Sequence, residues 1–188
     1  MAVQARGPGD VIDMLLVSRH ASTVSVREVA WDDPAAAGLR AAMSEELDPR
    51  LAAHETRLAP VLAAPADEVA LTLLMEDDGE AVACGSLRRL PDVVDVDGAS
   101  ARHEVKKLYV APGHRRRGLA SLLLAELRGA AAQAGDGALV LHTATPMPEA
   151  VVFYQERGWR EIPPFGRYAD VADVSICFGA PTAGRLAD

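Results

Sequence analysis

Apolar and polar positions recur along this chain in short, clearly punctuated runs, and their periods identify the elements. "VSVREV" (24–29) alternates and reads as a strand. Asp32-Asp33-Pro34 then supplies an N-cap and a first-turn proline. Leu39, Met43 and Leu47 recur every four residues, so a helix is predicted over about 34–47. Asp48-Pro49 repeats the start signal and predicts a second helix to about Leu58, before Pro60 and Pro65 punctuate the chain. "VALTLLME" (69–76) and "AVACGSLRRL" (81–90) flank a "DDGE" turn and predict an antiparallel hairpin. Residues 91–100 read as an acidic loop, and "HEVKKLYV" (103–110) as a strand broken by Pro112 and Gly113. Leu119, Leu122, Leu123 and Leu127 form the apolar face of a helix from Gly118 to Ala134, which Gly135 can end. A strand "ALVLHT" (138–143), a helix from Pro146 and Pro148 through Arg157, and the strands "WREI" and "DVSICF" follow. The order β-α-α-β-β-β-α-β-α-β-β predicts an α/β protein, a mixed sheet with helices on both faces.

The 188 residues suffice for one domain, expected over 23–180, with a loose leader at 1–22 (Met14 is a candidate start) and a tail at 181–188. Hydrophobic residues make up 49% but aromatics only 4%, so the core should be mainly Leu, Val and Ala. Cys84 and Cys177 lie in strand patterns, without the spacing of a metal site, and read as buried thiols. No apolar run has the length of a membrane span and no signal-peptide shape opens the chain, so a cytoplasmic setting without membrane contact is expected.

A net charge of −8 argues against nucleic acid as a partner. Residues 101–128 nevertheless hold seven basic side chains against Glu104 and Glu126. One positive island in an acidic chain points to a small anionic ligand. Within it, "KKLYVAPGHRRRGLASLLLAEL" (106–127) runs from strand through a basic loop into a helix. Unpaired amides at a helix start, the missing Cβ of Gly118 and three arginines suit a pyrophosphate. Neither a Walker loop nor a dinucleotide fingerprint is present.

Arg115-x-x-Gly118-x-Ala120 after "LYVAP" resembles motif A of the GNAT superfamily of N-acetyltransferases. "AVVFYQERGW" (150–159), with Phe153, Tyr154, Gly158 and Trp159, resembles that family's motif B. The resemblance covers about 24–178 and is most specific over 104–159. It implies the GNAT fold, a mostly antiparallel sheet of about seven strands, with acetyl-CoA as co-substrate. It implies that backbone groups at Leu108, Tyr109 and Val110 meet the pantetheine arm. The loop Arg115, Arg116, Arg117, Gly118, Leu119, Ala120 and Ser121 would hold the pyrophosphate. Two positions depart from the family: Arg116 stands where many members have Gly, and Met147 where many have a cofactor-contacting Asn.

By the same resemblance Tyr154 is the general acid toward the CoA sulfur, and Glu104 the leading candidate base. A phenol near pKa 10 still holds its proton at neutral pH, so it has one to share with the departing sulfur. Strand alternation would put Glu104, Lys106 and Leu108 on one face and His103 on the other. His142 is an alternative proton relay, and a backbone N–H near Leu108 or Val110 the expected oxyanion donor. The acceptor pocket is expected from residues 34–58 and 161–173, with the acidic "SEELD" (44–48) attracting an amine and the loop 163–170 acting as a lid. The expected reaction is direct transfer of acetyl from acetyl-CoA to a primary amine. The acceptor is a small molecule or peptide. A non-catalytic acyl-CoA sensor and a protein N-terminal acetyltransferase are the alternatives. A homodimer is compatible with the sequence, which leaves acceptor and acyl length open.

Overall fold

The computed structural model describes residues 24–183 and, as backbone, residues 11–14. Eight strands, β1 (Val11–Met14), β2 (Val24–Val29), β3 (Val69–Asp77), β4 (Glu80–Val96), β5 (Ala99–Val110), β6 (Ala138–Ala144), β7 (Arg160–Ile162) and β8 (Ser175–Pro181), form one sheet. Their spatial order is β1-β2-β3-β4-β5-β6-β8-β7. All neighbours are antiparallel except β5 and β6. Mixed topology was expected; the eighth strand was not. Val11–Met14 of the expected leader pairs with β2, while residues 1–10, 15–23 and 184–188 lie outside the described part.

Two-residue turns at Asp78-Gly79 and Asp97-Gly98 close the β3–β4 and β4–β5 hairpins, with positive φ at all four residues. This conformation matches the strand twist and favours Asp-Gly. It also corrects the acidic loop expected at 91–100. The strands run through it, and Pro91 is tolerated because the register breaks between Arg89 and Val94.

Helices α1 (Pro34–Leu51) and α2 (Glu55–Leu62) cover one face, and α3 (Leu119–Gln133) and α4 (Pro148–Gln155) the other. The Asp33 carboxylate caps α1 by accepting from the amides of Ala35 and Ala36 at 3.0 and 3.1 Å. Asp48-Pro49 does not start a new helix; α1 runs through it, and a short 3₁₀ turn at 52–54 leads into α2. Leu123, Leu124 and Leu127 of α3 are fully buried against Leu139, Leu141 and Phe178 of the sheet. Cys84 and Cys177 are buried and free, and burial pushes their thiols up to about 11 and about 12. No described helix is long and apolar enough to cross a membrane.

Candidate active site

The parallel strands β5 and β6 pair only at Glu104↔Val140 and Val105↔Leu141. Beyond these pairs two cavities open. The larger, about 730 Å³, is lined by Leu108, Tyr109 and Val110 of β5, the loop before α3, the α3 N-terminus and α4. The smaller, about 320 Å³, lies between α1, α2 and the diverging strand ends. Met43, Leu47, Leu108, Met147 and Tyr154 border both.

The larger cavity is built as an anion cradle at one end. Gly118 precedes α3 at φ 84° and offers no capping side chain. The first amides, from Leu119 to Ser121, are therefore left without a side-chain acceptor. Positive φ at this position costs little only for glycine.

The three arginines diverge. Arg115 donates to the Val110 carbonyl at 2.8 Å and forms a two-pronged pair with Glu46 of α1. That pair holds the Glu46 carboxyl below its usual range. Arg116, at φ 61°, is exposed on the cavity wall with no acid paired to it among the described residues. Arg117 turns away: it lies 2.7 Å from Asp77 and bonds His114. Its side chain does not line the cavity, unlike those of Arg115 and Arg116.

Tyr154 of α4 sits at the junction, packed against Phe153, Trp159 and Phe178. Burial pushes its phenol well above the usual value, so it keeps its proton through neutral pH. Arg157, not anticipated from the sequence as a site residue, stacks on the Phe153 ring at 3.8 Å and donates to Ser121 Oγ at 2.7 Å. The i, i+4 spacing of Phe153 and Arg157 was the available signal. Met147 presents an apolar side chain to both cavities where an amide donor was missed.

Glu104, the expected base, lies within β5. It is fully buried and lines neither cavity. Its carboxylate accepts two bonds from the Arg88 guanidinium and one from the Tyr168 hydroxyl. Burial works against the Arg88 charge, but the Glu104 charge together with the hydrogen bonds to Glu104 and Glu68 outweighs it and holds Arg88 protonated. His103 pairs with Asp136 at 2.6 Å, away from both cavities. His142 does line the smaller cavity, stacked on Tyr168 at 4.0 Å and bonded to Ser175 Oγ at 3.0 Å. Burial, then the Lys106 charge, lowers it to about 3, so it stays neutral and is a weak base.

The segment expected as a lid is packed onto the body of the protein and lines neither cavity. Gly166–Val174 forms 3₁₀ turns with Tyr168 fully buried. Arg167 bonds Glu68 at 3.0 Å, and Asp173 bonds Arg57 of α2 at 2.6 Å. Of the "SEELD" segment, Glu46 serves the larger cavity, while Ser44 and Asp48 line the smaller one.

A bulge on β5 shapes the floor of the smaller cavity. Lys107 adopts φ 54°, and the register to β4 shifts between Cys84 and Ser86. The extra residue breaks the two-residue alternation. Leu108 thereby reaches the α3 side, close to Gly85, instead of sharing a face with Glu104 and Lys106. Lys106 and Lys107 both line the smaller cavity.

Several known proteins are similar. A curated IAA acetyltransferase of Azospirillum brasilense is 29% identical over 96 residues, which span 51% of this chain and 58% of that protein. The fold matches a Klebsiella pneumoniae protein assigned as an acyl-CoA N-acyltransferase, with a TM-score of 0.64 and 24% identity over 85% of this chain and 98% of that one. It also matches a GNAT acetyltransferase of Elizabethkingia anophelis solved with acetyl-CoA, with a TM-score of 0.56 and 17% identity over 84% and 97% of the two chains. Residues 26–159 match the family model described as Acetyltransferase (GNAT) family, which is well over half the sequence. The chain belongs to the GNAT acetyltransferase family.

Proposed function

We propose that this protein transfers the acetyl group of acetyl-CoA to a primary amine, with the cofactor in the larger cavity and the amine in the smaller. The observation that carries this reading is the meeting of the two cavities at Leu108 and Tyr154. The residues fit the cofactor: uncapped amides at the α3 start and the unpaired Arg116 suit its phosphates. The free edge of β5 at Leu108–Val110 suits its amide-bearing arm. When bound, acetyl-CoA supplies an activated thioester carbonyl and a thiol leaving group.

The roles of the chain's own groups follow. The cavity junction holds the amine nitrogen against the carbonyl carbon. A backbone N–H at Leu108 or Val110 donates to the carbonyl oxygen as charge builds there. Tyr154 Oη gives its proton to the sulfur as the carbon–sulfur bond breaks, and the proton shed by the newly acylated nitrogen returns to the phenolate, so the phenol is restored. The amine must arrive deprotonated. For an alkylamine near pKa 10.4, that costs about 4–5 kcal/mol at pH 7. Neither Glu104, by its burial, nor His142, by its low basicity, is suited to remove that proton.

The modest size of the smaller cavity, about 320 Å³, supports a small acceptor over a peptide. CoA release over a panel of small primary amines, with matched peptides bearing free N-termini, tests this. Turnover of small amines is expected. Release with peptides alone would move the assignment to protein acetylation. Tight CoA binding without release in either group would leave a sensor.

A further inference from the structure

The smaller cavity has an apolar body formed by residues such as Leu47, Leu51, Leu62 and Val105. Its polar groups are Ser44 and Asp48 of α1 on one side and Lys106, Lys107, His142 and Thr143 of the sheet wall on the other, and the bulge sets the two lysines there consecutively. Lys106 is buried and donates to the Tyr168 hydroxyl at 2.9 Å. Glu104 is 3.8 Å from its nitrogen, but that carboxylate is already held by Arg88. Lys107 is half-buried, with no ion-pair partner among the described residues. Asp48 on the rim is exposed and is the single carboxylate lining this cavity.

Behind the wall, Arg88, Arg167 and Lys106 stand against Glu104 and Glu68. Lys107 adds a fourth cation. The inner wall therefore carries excess positive charge in a low-dielectric setting, and burial with neighbouring cations depresses both lysines, Lys106 to about 8. Such a wall attracts an anionic group on the ligand, and it favours the neutral form of an amine bound beside it.

We propose that the acceptor carries a carboxylate on a compact apolar body, the class of an aliphatic amino acid, and that Lys107, with Lys106 beside it, receives that carboxylate. This rests on the transferase reading above and specifies its substrate. The amine end then points toward Leu108 and Tyr154, and the apolar body lies along α1 and α2. Lys107 is a specificity residue; it need not touch the reacting atoms.

The test compares alanine, valine, leucine and methionine with their amides, at saturating acetyl-CoA and over a pH series that equalises the free-amine fraction. The acids are expected to exceed their amides at least tenfold in kcat/KM. Lys107→Asn keeps a side chain tolerant of positive φ. It is expected to remove that preference through KM, leaving the amides unchanged and the melting temperature close to wild type. Equal use of acids and amides overturns the proposal while the transferase reading stands. So does a Lys107→Asn loss shared by both series. No CoA release with any amine, despite acetyl-CoA binding, defeats the transferase reading and the proposal together.

Discussion

At the scale of single residues, Tyr154 and Glu104 separate chemistry from architecture. Tyr154 meets both cavities and keeps its proton. Tyr154→Phe is therefore expected to lower kcat by about 10²-fold or more while barely changing acetyl-CoA affinity, which single-turnover rates and calorimetry resolve. An unchanged kcat removes the acid role. Glu104 is the counter-ion of a buried arginine, and breaking such a pair costs about 3–5 kcal/mol. Glu104→Gln is expected to destabilise by an amount of that order without altering the shape of the pH–rate profile; loss of a limb would restore it as base. His142 carries a pH signature of its own. Its folded pKa, about 3, lies below the unfolded value near 6.5, so the unfolded state binds the proton first. Stability is then lost on acidification, by about 1.4 kcal/mol per pH unit below about 6.5. Denaturant melts of His142→Asn should show a shallower acid slope than wild type.

At the scale of elements, the site is made by irregularities. The α3 start needs the positive φ of Gly118, and open space surrounds the position where its Cβ would be. Gly118→Asp thus fits sterically but sets a negative charge against the phosphates. It is expected to abolish acetyl-CoA binding with a backbone cost of about 1–2 kcal/mol. Retained affinity would displace the phosphate site from this loop. Both motif segments were legible in the sequence because they are local: the strand, basic loop and leucine face of 106–127, and the Phe153–Trp159 turn. The bulge at Lys107 was not. It comes from pairing with β4, which no local pattern of "VKKLYV" encodes, and it reversed the expected facing of Leu108. The role of Glu104 was hidden likewise, since Arg88 and Tyr168 lie 16 and 64 residues away.

At the scale of the whole molecule, the sheet order places the parting of β5 and β6 between two helical layers, and this parting makes room for two ligands. The positive island of 101–128 is broken up by the fold. Arg115 goes to Glu46, Arg117 to Asp77, and Arg128 is buried. Arg116, Lys106 and Lys107 remain toward the cavities. The net charge excess was therefore visible in the sequence, but its division between the larger cavity, with Arg116, and the smaller, with Lys106 and Lys107, was not, because the acids that consume it come from distant elements.

The central claim, an acetyl-CoA site in the larger cavity, is tested most directly by thermal melting with added acetyl-CoA, wild type beside Gly118→Asp. At a hundredfold excess over Kd, binding stabilises by about 2.7 kcal/mol, or about 5–10 °C for a chain of this size. A rise of that order in wild type, absent in the variant, is the expected result. No rise in wild type at millimolar acetyl-CoA would contradict the account.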